Sequence, residues 1–366
     1  MERADVLIVG GGPAGSACAM ALASTGCDVL VLDAARFPRD KPCAGWITPE
    51  VLDEIPFSID SYAKRHVAQP IERFRVGRID GRDVEIDYGM PVSYGIRRCE
   101  FDAELLHRSG ARVQGGVRIH KIERGRGGWI LNDAFAASVV VGAGGNFCPI
   151  GRHLGGAPDE TATVVAREIE FSMSEEDAAS CAVFGEQPEL YFCSDLRGYG
   201  WCFRKDNFLN IGLGRLDRRH LSEHVDAFVA FLLRRGRVGN VPDDGWRGHA
   251  YRVHSGRSGP LTQGGLVLVG DAAGLAAPAS GEGILPALVS GRIAGESIHE
   301  ERLWDYEARL TSRFGQRGSG FQLPGRIAGL VSAALIAIPG FARHLVMDRW
   351  FLHRSGRPLP ALPALD

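Results

Sequence analysis

The chain has 366 residues, 45% hydrophobic and 23% charged, with a formal net charge of −2. That length allows two domains or one large one around a sizeable core, and the near-balanced charge argues against a nucleic-acid-binding surface. Eight cysteines are scattered without C-x-x-C pairs, and no signal peptide precedes the first apolar run; both features predict reduced thiols and a cytoplasmic location.

Val6–Val9 is an apolar run followed by Gly10–Gly15, which read GGGPAG, and a second run, Val29–Leu32, ends in Asp33. This order predicts strand, tight turn, helix, strand and acid, the fingerprint of a dinucleotide site. Gly10 permits the turn, Gly12 lets the backbone approach a pyrophosphate, and Gly15 lets the helix pack on the strand. Pro13 and Ala14 open that helix, whose free N–H groups face the phosphates. Asp33 is placed to accept hydrogen bonds from a ribose.

Residues 33–65 are irregular, with Pro38, Pro42 and Pro49. Residues 66–95 alternate in character, as short strands do (Ile71, Phe74, Val76, Ile79, then Val84, Ile86, Tyr88). A helix is predicted over 100–110, and strands over 112–145 ending in VVVGAGG. Further strands are predicted at Thr163–Phe171, Ala182–Phe184, Glu189–Cys193, Tyr199–Arg204 and Leu209–Gly214, then a helix at about 217–236. His220 and His224 on that helix lack a third ligand nearby and read as a solvated face, so no metal site is expected. Leu266–Asp271, LVLVGD, is another strand ending in Gly270–Asp271, followed by a small-residue loop and a helix. The apolar run Ile327–Ile338 is too short to span a bilayer. It reads as a buried helix closing a tunnel, with shallow insertion at a membrane surface as the second reading.

Tyr199, Trp201 and Phe203 alternate along one strand and so share a face. Pattern alone leaves them as sheet core or as the wall of an apolar cavity. Cys43 and Trp46 are equally divided between packing and a site role.

The chain resembles the FAD-dependent geranylgeranyl reductase family, within the flavoproteins shaped like p-hydroxybenzoate hydroxylase. The likeness runs through GGGPAG, Arg36–Pro49 (RFPRDKPCAGWITP), Arg97–Leu106, Val139–Gly145, Tyr199–Arg204 (YGWCFR) and Leu266–Ile284. K-P-C and Y-x-W-x-F are its most specific parts. It implies an α/β fold: a Rossmann-like FAD-binding domain interleaved with a mostly antiparallel β-sheet substrate domain, and a short helical C-terminus. The FAD-binding domain is expected over 1–65, 96–155 and 256–320, the substrate domain over 66–95 and 156–255, and the C-terminal segment over 321–366.

The resemblance also implies site roles. Gly10, Gly12, Pro13, Ala14, Gly15, Asp33, Arg36, Cys43, Ala44, Arg98, Gly270, Asp271, Gly281, Gly283 and Ile284 would bind non-covalent FAD. Cys43 would also serve the chemistry, and Trp46, Tyr199, Trp201 and Phe203 would hold the substrate. The implied reaction is reduction of carbon–carbon double bonds in a prenyl chain or lipid by hydride from reduced flavin. The electron donor would be NAD(P)H or a ferredoxin-type protein, and peripheral contact with the inner face of the membrane is compatible with such a substrate. Asp33 stands where the family often has Glu, Arg204 where its aromatic motif usually ends in Pro, and Gly144–Gly145 where relatives commonly have Asp-Gly. A monooxygenase or halogenase on the same fold is the first alternative, with Lys64 and Lys205 as candidate halogenase lysines. A non-enzymatic flavoprotein binding an apolar ligand is the second.

Overall fold

In the computed structural model, residues 1–155, 163–216, 219–254, 259–278, 280–315 and 336–352 are described. Val6–Val9 lies at the centre of a six-stranded sheet in the order Thr262–Gln263, Leu266–Leu268, Val139–Gly142, Val6–Val9, Val29–Asp33, Arg112–Gly115. All neighbours are parallel except the first pair. The central strands are buried along their length, which is why they are continuous apolar runs.

Helix Pro13–Leu22 covers this sheet, and helix Ile284–His299 packs flush against it. Glycines at two places on the second helix permit the approach. A Cβ at Gly291 would stand 2.1 Å from the Ala14 carbonyl oxygen, and one at Gly295 would stand 2.8 Å from that of Cys18.

The second large sheet has seven strands in the order Arg247–Arg252, Thr163–Ser172, Phe208–Arg215, Gly198–Lys205, Glu189–Phe192, Arg73–Arg78, Asp83–Asp87. It is antiparallel except where Glu189–Phe192 runs alongside Arg73–Arg78. Period-2 alternation sorts its two faces. Tyr191, Cys202, Ile211 and Leu213 pack under helix Leu221–Arg234, whereas Leu190, Trp201 and Phe203 join a cluster on the other face. Into that second cluster packs Ala342–Phe351, a wide π-type helix. This fold is the expected one: a Rossmann-like α/β layer interleaved with a mostly antiparallel sheet.

Two sequence expectations need adjustment, and a third lies mostly outside the described residues. Ala182–Phe184 forms no strand ladder; Phe184 only bridges Gln187 across a turn. The two middle helices run Arg98–Arg108 and Leu221–Arg234, a few residues off their predicted limits. Most of the apolar tail, 327–335, lies outside the described residues, but Ile336 is buried in the second cluster. No helix among the described residues is long and apolar enough to cross a membrane.

Candidate functional site

A cavity of about 520 Å³ separates the two large sheets. One end is the glycine turn. Gly10 holds φ +116°, and a Cβ there would stand 2.4 Å from the Ala143 carbonyl oxygen. At Gly12 the nearest atom to such a Cβ, among the described residues, is Arg39 Nη2 at 3.4 Å, so only the tip of a flexible side chain stands beside the backbone there. Asp33 accepts the Gly11 N–H at 2.7 Å with one oxygen and the Ala35 N–H at 2.8 Å with the other. Each oxygen retains acceptor capacity for a further donor.

Cations gather beside this turn. Arg98 forms a two-pronged pair with Asp102, at 2.8 and 2.9 Å. Arg39 Nη1 lies 3.1 Å from the same carboxylate, yet this buried nitrogen makes no aligned hydrogen bond among the described residues. Lys41 Nζ lies 2.9 Å from His249 Nε2, which is 3.7 Å from Asp271. Burial pushes the Lys41 ammonium down to about 8, and burial also lowers His249. Burial alone would raise Asp271, but the hydrogen bond and charge of His249, with Lys41 and Arg98, hold its carboxyl below the usual range.

Helices Pro13–Leu22 and Ile284–His299 both point N-termini into the cavity, with Gly12 and Gly283 as N-caps that supply no side-chain hydrogen bond. Their unpaired N–H groups attract anions. The glycine cradle, the two N-termini, the three cations and the orphaned Arg39 nitrogen fit the diphosphate of FAD.

The other end of the cavity is aromatic. Trp46 stacks on Phe351 at 5.5 Å and 17°, and Tyr199 meets the same ring edge-on at 5.3 Å. The buried indole nitrogen of Trp46 has no hydrogen-bond partner among the described residues. Cys43 is half-buried between the two ends. Asn210 ties this wall together: it accepts from Trp201 at 2.7 Å and donates to the Cys43 carbonyl at 3.2 Å and to Glu168 at 3.1 Å.

Of the residues singled out in the sequence, Gly10, Gly12, Pro13, Ala14, Asp33, Cys43, Ala44, Trp46, Arg98, Tyr199, Trp201, Asp271, Gly281, Gly283 and Ile284 line this cavity. Four do not. Gly15 sits behind the turn, where a Cβ would stand 1.9 Å from the Gly10 oxygen. Arg36 packs beside Gly115. Gly270 donates its N–H to Ser290 at 2.9 Å. Phe203 is buried in the cluster behind Trp46, 5.6 Å away.

Lys205 is buried and paired with Glu170 at 2.5 Å, and Lys64 caps helix Ile59–Ala63. Neither lines the cavity; Lys41 does. Arg204 donates to the Asp206 and Ala178 carbonyls rather than entering the cavity. His220 pairs with Glu223 at 2.7 Å, and no group of three or more His, Cys, Asp or Glu among the described residues could hold a metal ion.

Sequence reasoning missed Lys41, Glu168, His249, Tyr251 and Phe351, which also line the cavity. Lys41 belongs to the K-P-C motif, and His249 and Tyr251 alternate on one strand. Glu168 and Phe351 carry no comparable local pattern.

A family model described as an FAD binding domain matches residues 3–56. A protein named menaquinone reductase from Mycobacterium tuberculosis is 31% identical, covering 90% of this chain and 85% of that protein. A digeranylgeranylglycerophospholipid reductase from Methanocella arvoryzae is 32% identical, covering 85% of this chain and 81% of that protein. The solved structure of a geranylgeranyl bacteriochlorophyll reductase-like protein from Thermoplasma acidophilum shares the fold. Its TM-score is 0.72 at 23% identity, over 92% of this chain and 88% of that one. With the nucleotide cradle at one end of the cavity and relatives along nearly the whole length, the chain belongs to the FAD-dependent geranylgeranyl reductase family and is an FAD-dependent oxidoreductase.

Proposed function

We propose that the protein uses reduced FAD to saturate carbon–carbon double bonds in a prenyl chain. The observation that carries this reading is one continuous cavity, polar and cationic at the glycine turn and aromatic at Trp46, Tyr199, Trp201 and Phe351. One relative is named for geranylgeranyl chains and another for a quinone.

When bound, FAD would supply the hydride. Gly10, Gly12, Pro13 and Ala14 would hold its diphosphate at the first helix N-terminus, with Arg39 and Arg98 opposite. Gly15 and Gly270 would act indirectly, by packing the helices that form the cradle. Asp33 would bind the ribose, and Asp271 the ribityl region. Gly281, Gly283 and Ile284 would bring backbone N–H groups towards the ring, near Cys43 and Ala44. The aromatic wall would orient an apolar chain and exclude water, which a poorly electrophilic alkene requires. NAD(P)H or a ferredoxin-type protein would return the electrons.

The test is anaerobic photoreduction of the flavin-loaded protein, followed by mixing with lipids bearing geranylgeranyl chains or with prenylated quinones. Reoxidation of the flavin with a saturated product supports the reading. Reoxidation only by oxygen, with an oxygenated or halogenated product, replaces it with the oxygenase alternative. Silence towards both leaves a flavoprotein that binds an apolar ligand.

A further inference from the structure

We propose that Glu168 is the proton donor of this cavity and is recharged from solvent through a second, smaller cavity behind Pro42–Cys43. This rests on the reading that a double bond is reduced here.

The second cavity, of about 150 Å³, shares Asp40, Lys41, Pro42, Cys43, Arg98 and Glu168 with the first, so the charges of Lys41 and Arg98 border the acid as well. Segment Lys41–Cys43 is therefore a thin partition. Glu168 is 6% exposed and is the buried carboxyl that borders both sides. The outer rim is charged and wet: Arg247 pairs with Asp40 at 3.0 Å, with both side chains 60% exposed. Solvent protons thus reach a chamber that touches Glu168, while the main cavity keeps its aromatic wall.

The carboxyl is held in place. Asn210 donates to one of its oxygens at 3.1 Å and to the Cys43 carbonyl at 3.2 Å, tying the acid to the partition. Across Gly212, a virtual Cβ would stand 2.7 Å from Glu168 Cβ and 2.3 Å from the Trp201 ring, so acid and aromatic wall are near neighbours.

Burial pushes the acid up to about 7, against the hydrogen bonds and the opposing charge of Lys205; Glu170 adds to the rise. Arg247 faces Glu168 in register on the next strand. Lys205 is itself committed to Glu170, so its field is partly neutralised. Other acids serve less well. Asp271 is held ionised, and Tyr199 commits its hydroxyl hydrogen to the Ser280 carbonyl.

In the reaction, FAD when bound and reduced would supply two electrons as hydride to one alkene carbon. Glu168 gives its proton to the other. One π bond is lost, two C–H bonds form, the flavin is oxidised, and the Glu168 carboxylate recovers a proton from water in the smaller cavity.

The experiment compares wild type with Glu168→Gln and Glu168→Asp, each loaded with FAD and reduced anaerobically, then mixed with a geranylgeranyl lipid across pH. Wild-type flavin reoxidation should slow as pH rises through about 7. Glu168→Gln should be slower by roughly 10²-fold or more and lose that pH dependence, while Glu168→Asp should recover part of the rate. Infrared spectra of the oxidised holoenzyme supply a readout independent of turnover. A protonated-carboxyl band should titrate near neutral pH in wild type and vanish in Glu168→Gln.

Unchanged reoxidation in Glu168→Gln, or no such titrating band in wild type, overturns the assignment. Wild-type reduced enzyme inert to every prenyl lipid overturns the reduction reading, and the donor role with it.

Discussion

Trp201 donates its indole hydrogen to Asn210 at 2.7 Å, a buried bond between a ring that both joins the core cluster and lines the main cavity and an amide that borders the smaller cavity. Packing and lining are therefore one role. Trp201→Phe should leave the Asn210 oxygen without its donor and lower stability by about 1–3 kcal/mol. It should also open space on the wall and shift chain-length preference. Melting temperature and alkene reduction across short and long prenyl substrates check both arms. A stability loss with an unaltered substrate profile would leave the apolar-chain assignment without its wall.

Gly12→Val isolates cofactor binding from folding. A Cβ at Gly12 meets Arg39 Nη2 only at 3.4 Å, an ordinary contact, so the apoprotein should fold. The side chain would instead fill the space a diphosphate needs. The purified variant should be colourless and stay so on adding FAD, with a melting temperature near that of wild-type apoprotein. A yellow variant with ordinary affinity would refute the placement.

Asp271→Ala removes a carboxylate kept ionised by His249, Lys41 and Arg98. Flavin affinity should fall by an amount on the order of 1.5–3 kcal/mol, the scale of a hydrogen bond to a charged group. Flavin titration by fluorescence quenching measures it. Unchanged affinity in a folded variant shows that Asp271 does not contact the cofactor.

Stability should depend on pH through Glu168. Its folded-state value is about 7, above the ordinary 4.5. Between these limits the folded chain keeps a proton that the unfolded chain has released, so stability falls as pH rises through the window. Relative to Glu168→Gln, wild type should lose about 3 kcal/mol between pH 4.5 and pH 7. Denaturant unfolding of both proteins across that range tests the sign as well as the size. Parallel curves would mean that the acid titrates normally.

The nucleotide half of the site was legible because it is local. Val6–Val9, GGGPAG and Asp33 form one short unit whose spacing carries its geometry. Alternation likewise placed Tyr199, Trp201 and Phe203 on one face, but could not say that Trp46 would screen Phe203 from the cavity. Arg36 sits next to a predictive motif, yet its neighbour is the edge strand at Gly115. Glu168 and Phe351 were invisible for the same reason. Their environment is made by strands and helices distant in sequence, and a single Glu in a strand or Phe in a tail has no periodic signature.

The flush contact of Gly291 on Ala14 joins parts of the cradle that are made at different times. The glycine turn leaves the ribosome first, and the facing helix N-terminus at Gly283 follows about 270 residues later. Strand Leu266–Leu268, which flanks Val139–Gly142 in the same sheet, is also late. A nascent chain therefore carries half a cradle while the intervening residues are added, and the cofactor can be captured only once the second helix has emerged and docked. Flavin supply during expression should consequently govern how much finished protein is yellow, rather than how much of the chain begins to fold.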